Sequence, residues 1–273
     1  MMHTVPVSRL CTQEQMETDD FRRWAKLMGE NPDQRHRKLW EWVYVAQTLE
    51  QCGMLMPGRR GLGFAVGAEP LPSLFASRGC QVVASDMDEN DAKAIGWVDT
   101  NQHSANLQSL NQRGICDEAL FRQRVKFRTI DMNQIPEDLT DFDFTWSSCS
   151  FEHLGSIEHG QQFFYNMMRC LKPVGVGVHT TEFNLSSNWL TNRTGGTVIF
   201  RKRDIEAMVS RLTEQNHLIA VNYGTGGMPL DKYVDTPPYS GDRHLKLRLG
   251  LYTTTSIALV VRKCSEGGQR VAA

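Results

Sequence analysis

Residues 60 to 88 run strand, tight turn, helix, strand and terminal acid, an order that few folds accommodate. Leu62 to Val66 is a short apolar run, Gly67-Ala68 a small-residue turn, Pro70 and Pro72 a helix start, and Gln81 to Ser85 a second apolar run ending on Asp86. This is the front half of a nucleoside-binding α/β unit. A turn that lets the backbone approach a ligand cannot carry bulk beside it, and Ala65, Gly67 and Ala68 meet that demand. Proline is tolerated in the first helical turn, where its missing N–H would have no partner. An acid roughly 20 residues beyond the turn, at the strand tip, is placed to accept hydrogen bonds from ribose hydroxyls, the role expected of Asp86.

The spacing of the small residues argues against a dinucleotide. A G-x-G-x-x-G fingerprint would fall on Gly63, Ala65 and Ala68, and Glu69-Pro70 puts an acid and a missing donor where a pyrophosphate would want N–H groups. A nucleoside ligand without phosphates fits better. The stretch GFAVGAEPLP, Gly63 to Pro72, resembles the glycine-rich motif of class I S-adenosylmethionine-dependent methyltransferases. It departs from the family turn by placing Gly63 at the acid's position, Ala65 at the first glycine and Glu69 at the last, which leaves Gly67.

The remaining segments follow in the family's order. The third strand is Val125 to Ile130, ending at Asp131-Met132, and the fourth is Phe142 to Ser147, followed by the small polar run Ser147 to Ser150. Ser156 can cap a helix with the stripe Phe164, Met167, Met168 and Leu171. That helix stops at LKPVG, similar to the L-K-P-G-G of the family, and Val174 to Thr180 is the fifth strand. Alternation of strand and helix predicts a parallel sheet with right-handed crossovers. Asn192 to Gly196 looks like a hairpin turn before a β-rich run, Thr197 to Phe200, and Asp204 is placed to cap a helix. His217 to Tyr223 and Tyr252 to Val261 would be strands six and seven, joined by a long Gly/Pro-rich loop.

Upstream, residues 12 to 52 predict two helices, the first with Phe21, Trp24, Ala25 and Met28 on one face, the second capped by Asp33. Trp24, Trp40 and Trp42 read as core. In the methyltransferases that the chain resembles, such N-terminal helices often lid the active site. The expected architecture is an α/β, Rossmann-like, seven-stranded class I methyltransferase sheet with N-terminal helices and an inserted hairpin or loop. Residues 1–57 would be the helical extension, 58–264 the cofactor-binding domain and 265–273 a flexible tail.

Length and charge set the outer bounds. A chain of 273 residues can bury a full core, and a net charge of −1 offers no whole-molecule attraction to nucleic acid or anionic lipid. The first residues lack an apolar core of signal-peptide length, and no stretch approaches the roughly 18 apolar residues of a membrane span. Seven scattered cysteines without a C-x-x-C pair point to free thiols in a reducing, cytoplasmic setting and to no structural metal.

By position, the resemblance assigns cofactor contacts to Phe64, Ala65 and Gly67 in the turn, Asp86 and Met87 at the ribose, Asp131 and Met132 at the adenine, and Ser148 with Cys149 beneath the sulfonium. For Asp131 the plain alternative is a turn aspartate. Methyl transfer from a sulfonium mainly needs orientation, and a hydroxyl acceptor also needs a base for its proton. Strand tips face the ligand crevice of an open α/β sheet, which makes Glu152, His153 and Glu182 the catalytic candidates, with His179 a weaker one inside its strand. His153 leads because an ordinary histidine is largely neutral, and so basic, near pH 7. Each has a duller alternative: a backbone-bonded histidine or a solvated glutamate. The basic runs Arg201 to Arg203 and Arg243, His244, Lys246 and Arg248 could hold an acidic acceptor or simply be solvated. The motifs TVIFRKRDIE and LRLGLYTTTSIALVVRK also resemble methyltransferases of bacterial surface-polysaccharide and glycan gene clusters. Together these features imply a methyltransferase using S-adenosylmethionine on a small-molecule or glycan hydroxyl. The alternatives are a non-catalytic binding protein of the same fold and an NAD(P)-dependent oxidoreductase.

Overall fold

The structure, a computed structural model, describes residues 5–88, 107–240 and 242–264. The expected tail at 265–273 lies outside the described residues, as does the start of a polar helix that the sequence predicts around Gln102 to Arg113. The strands are β1 (Ser8–Leu10), β2 (Arg35–His36), β3 (Arg60–Gly63), β4 (Gln81–Asp86), β5 (Val125–Thr129), β6 (Phe142–Ser148), β7 (Gly155–Ser156), β8 (Leu171–Asn184), β9 (Thr194–Gly195), β10 (Val221–Asn222), β11 (Arg243–His244), β12 (Lys246–Leu249) and β13 (Tyr252–Arg262). The helices are α1 (Gln13–Met16), α2 (Asp19–Leu27), α3 (Arg37–Gln51), α4 (Leu71–Ser77), α5 (Glu118–Arg124), α6 (Ile157–Met167), α7 (Lys202–Glu214) and α8 (Pro229–Lys232).

One nine-stranded sheet runs β10-β1-β13-β8-β6-β3-β4-β5, with β12 pairing β13. From β5 to β8 every pairing is parallel, and β13 lies antiparallel beside β8. This contains the seven strands that the sequence predicts. The two additions are β12 and the N-terminal β1, which slots between β13 and β10. β1 is a three-residue strand whose ends are buried, too short for its alternation to stand out in the sequence.

Sequential strands are neighbours because the αβ connections are short and locally encoded. On β3 a Cβ at Gly61 would sit 2.3 Å from the Phe144 ring, and one at Gly63 the same distance from the Trp146 ring. The glycines of this strand are therefore demanded by the aromatic side chains of β6. Ser156 caps α6 as expected, its Oγ accepting from the His159 N–H at 3.1 Å. Trp24 and Trp40 are buried, and Trp42 is half-buried. The N-terminal helices share one apolar cluster with Phe75 of α4 and with Trp146 and Val260 of the sheet.

Three local expectations differ. Residues 192–196 do not form a hairpin turn; Thr194–Gly195 instead pairs with Gly155–Ser156, and Phe200 only bridges Phe183. The cap of α7 is Arg201, while Asp204 sits three residues in and accepts from the Arg201 N–H and guanidinium. The cap of α3 is His36, whose Nδ1 accepts from the Lys38 N–H at 3.0 Å, and Asp33 instead pairs with Arg22.

Candidate active site

A cleft of about 610 Å³ opens at the C-terminal ends of β3, β4, β6 and β8. That volume suits a nucleoside-sized ligand with room for a second small molecule. One wall consists of sheet tips: Ala65 to Glu69, Asp86, Ser148 to Ser150, Glu152 and His153. The facing wall is the first turn of α3, His36 to Lys38 with Glu41 and Trp42, together with His244, Leu247 and Leu249.

The turn after β3 is pinned to β4. Ala65 and Gly67 both take left-handed backbone, at φ of 46° and 51°. Gly67 adopts it freely, whereas an alanine there carries roughly 1 kcal/mol of strain. The Gly67 N–H donates to Asp86 Oδ2 at 3.0 Å, the Met87 N–H to Oδ1 at 2.9 Å, and the Val66 N–H to the Ser85 carbonyl. Asp86 is thus buried, held by backbone donors and turned toward the cleft.

Glu69, at the place of the family's last glycine, is buried under the cleft and accepts from Trp146 Nε1 at 2.6 Å. Burial pushes its carboxyl up to about 7. No phosphate would be welcome beside a buried carboxyl, which fits a ligand that lacks one.

Beneath the sheet tips lies a charged network. Arg37 Nη1 pairs with Glu182 at 2.7 Å, and Lys38 Nζ donates to the Ser148 carbonyl at 2.8 Å while lying 3.4 Å from Glu41. Glu41 Oε1 accepts from the Cys149 thiol at 2.9 Å and from Ser256. Burial would raise the Glu41 carboxyl, but Lys38 and Arg37 hold it below the ordinary value. Cys149 is raised well above the usual thiol value, by burial first and then by Glu152 and Glu41, so it stays protonated. Its φ of 49° and N–H bonds to Thr180 make it a sharp corner under the cleft.

The catalytic candidates separate by partner. His153 lines the cleft and donates Nδ1–H to the Gly196 carbonyl at 2.7 Å, leaving Nε2 as its basic nitrogen. Glu152 is buried, its carboxyl raised by that burial, and accepts from Thr181 Oγ1 at 3.0 Å. Glu182 is occupied by Arg37. His179 is fully buried between Ser147 and Thr145 hydroxyls, and burial drives it down to about 3, so it is a neutral core residue.

Ala65, Gly67, Asp86, Ser148 and Cys149 come together in the cleft, as do Glu152, His153 and Glu182. Met87 follows Asp86 half-buried at the rim. Phe64 is in the core, edge-on to Phe163, and Met132 is buried in the same cluster. Asp131 is exposed, accepting from the Asn133 N–H in its own turn. Sequence reasoning missed Arg37, Lys38, Glu41 and His36 as cleft residues, and it weighed His244 within a basic loop group without the Asp235 carboxylate that it bonds. The N-terminal lid expectation and the basic loop group that includes His244 were the available signals. Among the described residues no cluster of His, Cys, Asp and Glu is arranged for a metal, and no helix is long and apolar enough to cross a membrane.

The family described as methyltransferase domain matches residues 62–178. A search of curated proteins finds no match. Among solved structures, the chain is similar to an S-adenosylmethionine-dependent methyltransferase from Mesorhizobium loti, with 13% identity, TM-score 0.48, and 82% of this chain and 97% of that one covered. It is also similar to magnesium protoporphyrin IX methyltransferase from Synechocystis PCC 6803 with bound S-adenosylmethionine, at 16% identity and TM-score 0.44, covering 92% and 94%. A third is the 1,6-didemethyltoxoflavin-N1-methyltransferase of Burkholderia thailandensis, at 15%, 0.46, 81% and 76%. The matched segment holds the turn, Asp86 and β6, the elements that build the sheet-tip wall of the cleft. Residues 62–178, from β3 into β8, are thus similar to the methyltransferase domain family over the parallel part of the sheet.

Proposed function

We infer that the cleft binds S-adenosylmethionine and that the chain transfers its methyl group to a hydroxyl of a small-molecule or glycan acceptor. The observation that carries this reading is Asp86, a buried carboxylate locked by Gly67 and Met87 N–H groups yet lining an open cleft. Ribose hydroxyls would bond to it, with Met87 beside them. Ala65 and Gly67, with the backbone of Phe64, would pass under the methionine moiety, and Ser148 and Cys149 would lie beneath the sulfonium. Asp131 and Met132 are assigned to the adenine on strand order, since neither lines the cleft. The cofactor supplies an electrophilic methyl group.

The protein's own part is orientation and proton management. His153 Nε2 would take the acceptor proton, its tautomer fixed by Gly196. Glu152, buried next to it, would stabilise the charge that develops there, and Glu182, fixed by Arg37, would orient the acceptor. Glycan acceptors are favoured by the resemblance of the C-terminal motifs. The charge balance gives no support to nucleic acid as substrate.

Titration calorimetry with S-adenosylmethionine, its demethylated product and NAD tests the reading. Micromolar binding of the first two and none of NAD is expected, with Asp86→Ala weakening it more than about tenfold through the loss of a charged hydrogen-bond acceptor. Tight NAD binding, or silence toward all three, would overturn it in favour of an oxidoreductase or a binding protein.

A further inference from the structure

His36 and His244 come from opposite ends of the chain and meet in the two-stranded ladder β2–β11. The parallel register sets His244 against His36 and Arg243 against Arg35. Directly paired residues in a ladder place their side chains together on one face. The two imidazoles accordingly stack, with ring centroids 4.7 Å apart and planes 15° from parallel. Both rings line the cleft.

Their outer bonds fix different tautomers. His36 Nδ1 accepts from the Lys38 backbone N–H at 3.0 Å, so in the neutral ring the proton sits on Nε2. Burial and the neighbouring His244 push His36 down to about 4, which keeps it neutral near pH 7. His244 Nδ1 lies 2.7 Å from Asp235 Oδ2. A carboxylate can only accept, so Nδ1 carries the proton and Nε2 of the neutral ring holds a lone pair. Asp235 is itself anchored by the Ser240 N–H and hydroxyl. Among the described residues no partner occupies Nε2 of either ring, and neither atom is sealed from solvent. Arg37, Lys38 and Glu41 on α3 face the same region but are committed to Glu182, Ser148 and Cys149.

We propose that His36 and His244 form a donor–acceptor imidazole pair that binds a hydroxyl group of the methyl acceptor, His36 donating from Nε2–H and His244 accepting at Nε2. A hydroxyl oxygen both gives and takes one hydrogen bond, which is what the pair offers; an aliphatic wall satisfies neither nitrogen, and a bare cation would meet the His244 lone pair but not the His36 N–H. Asp235 is a positioning residue that sets the His244 tautomer. The inference deepens the methyltransferase reading and rests on it for the identity of the bound molecule.

Nitrogen-detected NMR on histidine-labelled protein, loaded with S-adenosylhomocysteine, reads the tautomers directly. Wild type is expected to show His36 protonated at Nε2 and His244 at Nδ1, with Asp235→Asn erasing the His244 preference. Titration with phenol and with methyl α-glucopyranoside then distinguishes an aromatic from a sugar hydroxyl. The matching probe should move both Nε2 resonances and bind about tenfold more weakly to His36→Asn, which keeps a helix-capping side chain but removes Nε2. His244→Phe should weaken the same probe, provided that it still binds the cofactor product. Identical tautomers on the two rings, or hydroxyl probes that leave both resonances unmoved, would overturn the pair. So would an acetamide control that moves them when the hydroxyl probes do not. Wild type that fails to bind the cofactor product at all would instead undo the methyltransferase reading, so the two failures are distinct.

Discussion

The sheet-tip wall of the cleft and the wall facing it are built on different principles. The first, Ala65 to Glu69, Asp86 and Ser148 to His153, consists of turns that follow directly from the strands beneath them, and the backbone N–H groups of Gly67, Met87 and Cys149 are met by near neighbours in the sheet. The second, His36 to Trp42 with His244 to Leu249, is held in place by a charged network and a two-residue ladder that join distant segments. Local geometry makes the first wall insensitive to remote change. The second depends on buried charges that balance one another, so it should weaken markedly when one is removed.

The largest effect is expected at the Arg37–Glu182 pair, whose side chains are 15% and 4% exposed. Removing one member leaves an unpaired buried charge, so Arg37→Ala or Glu182→Ala should cost about 3 to 5 kcal/mol in urea unfolding. Replacing both with apolar residues of similar size should cost far less. If the single and double variants unfold alike, the network does not hold the facing wall.

Glu69 sharpens the comparison from the sheet side. Its folded carboxyl, at about 7, lies above the usual 4.5. Between those values the folded protein holds a proton that the unfolded chain has lost, so this group makes stability fall as pH rises from about 4.5 to 7, with no further loss above. Glu69→Gln keeps an acceptor for Trp146 and should show a flatter profile than wild type across that window, with a gain in Tm above pH 7. His36 and His179, depressed to about 4 and about 3, act oppositely, raising stability as pH climbs toward 6.5. They are common to both proteins and cancel in the comparison. An unchanged profile would mean that Glu69 is ionised in the folded state.

The smallest effect should appear at the turn itself. Ala65→Gly relieves a left-handed alanine at the cost of a freer unfolded chain, for a net gain of under about 1 kcal/mol in unfolding free energy. Cofactor affinity by calorimetry should be unchanged within about twofold, since the backbone already has the shape that glycine would choose. A large gain in affinity would show that the alanine distorts the turn.

Much of this was readable from residues in order. The strand–turn–helix–strand run gave β3, α4 and β4 to within a few residues, and Asp86 stands at the strand tip where it was expected. The fourth strand carries its small polar tip into the cleft, and Cys149, one residue past its end, packs as a half-buried thiol against Glu41. The cap of α3 was misplaced because Asp33 has the better capping chemistry on paper, whereas the chain becomes helical only after the β2–β11 ladder releases it at His36. The turn expected at 192–196 was read from its Asn and Gly content, yet its backbone groups are taken by β7, a partner that no local pattern announces.

Chain order alone determined the parallel half of the sheet and the sheet-tip wall, because consecutive αβ units bury their apolar faces against immediate neighbours and leave their turns at one edge. Only the folded molecule decided what closes the cleft. Arg37 reaches Glu182 across 145 residues and Cys149 reaches Glu41 across 108, and the stack of His36 on His244 depends on the register of two short strands. Contacts at that separation obey no sequence period. Their cost in chain entropy is met by burying the N-terminal helices against the sheet, and that burial is a property of the whole core.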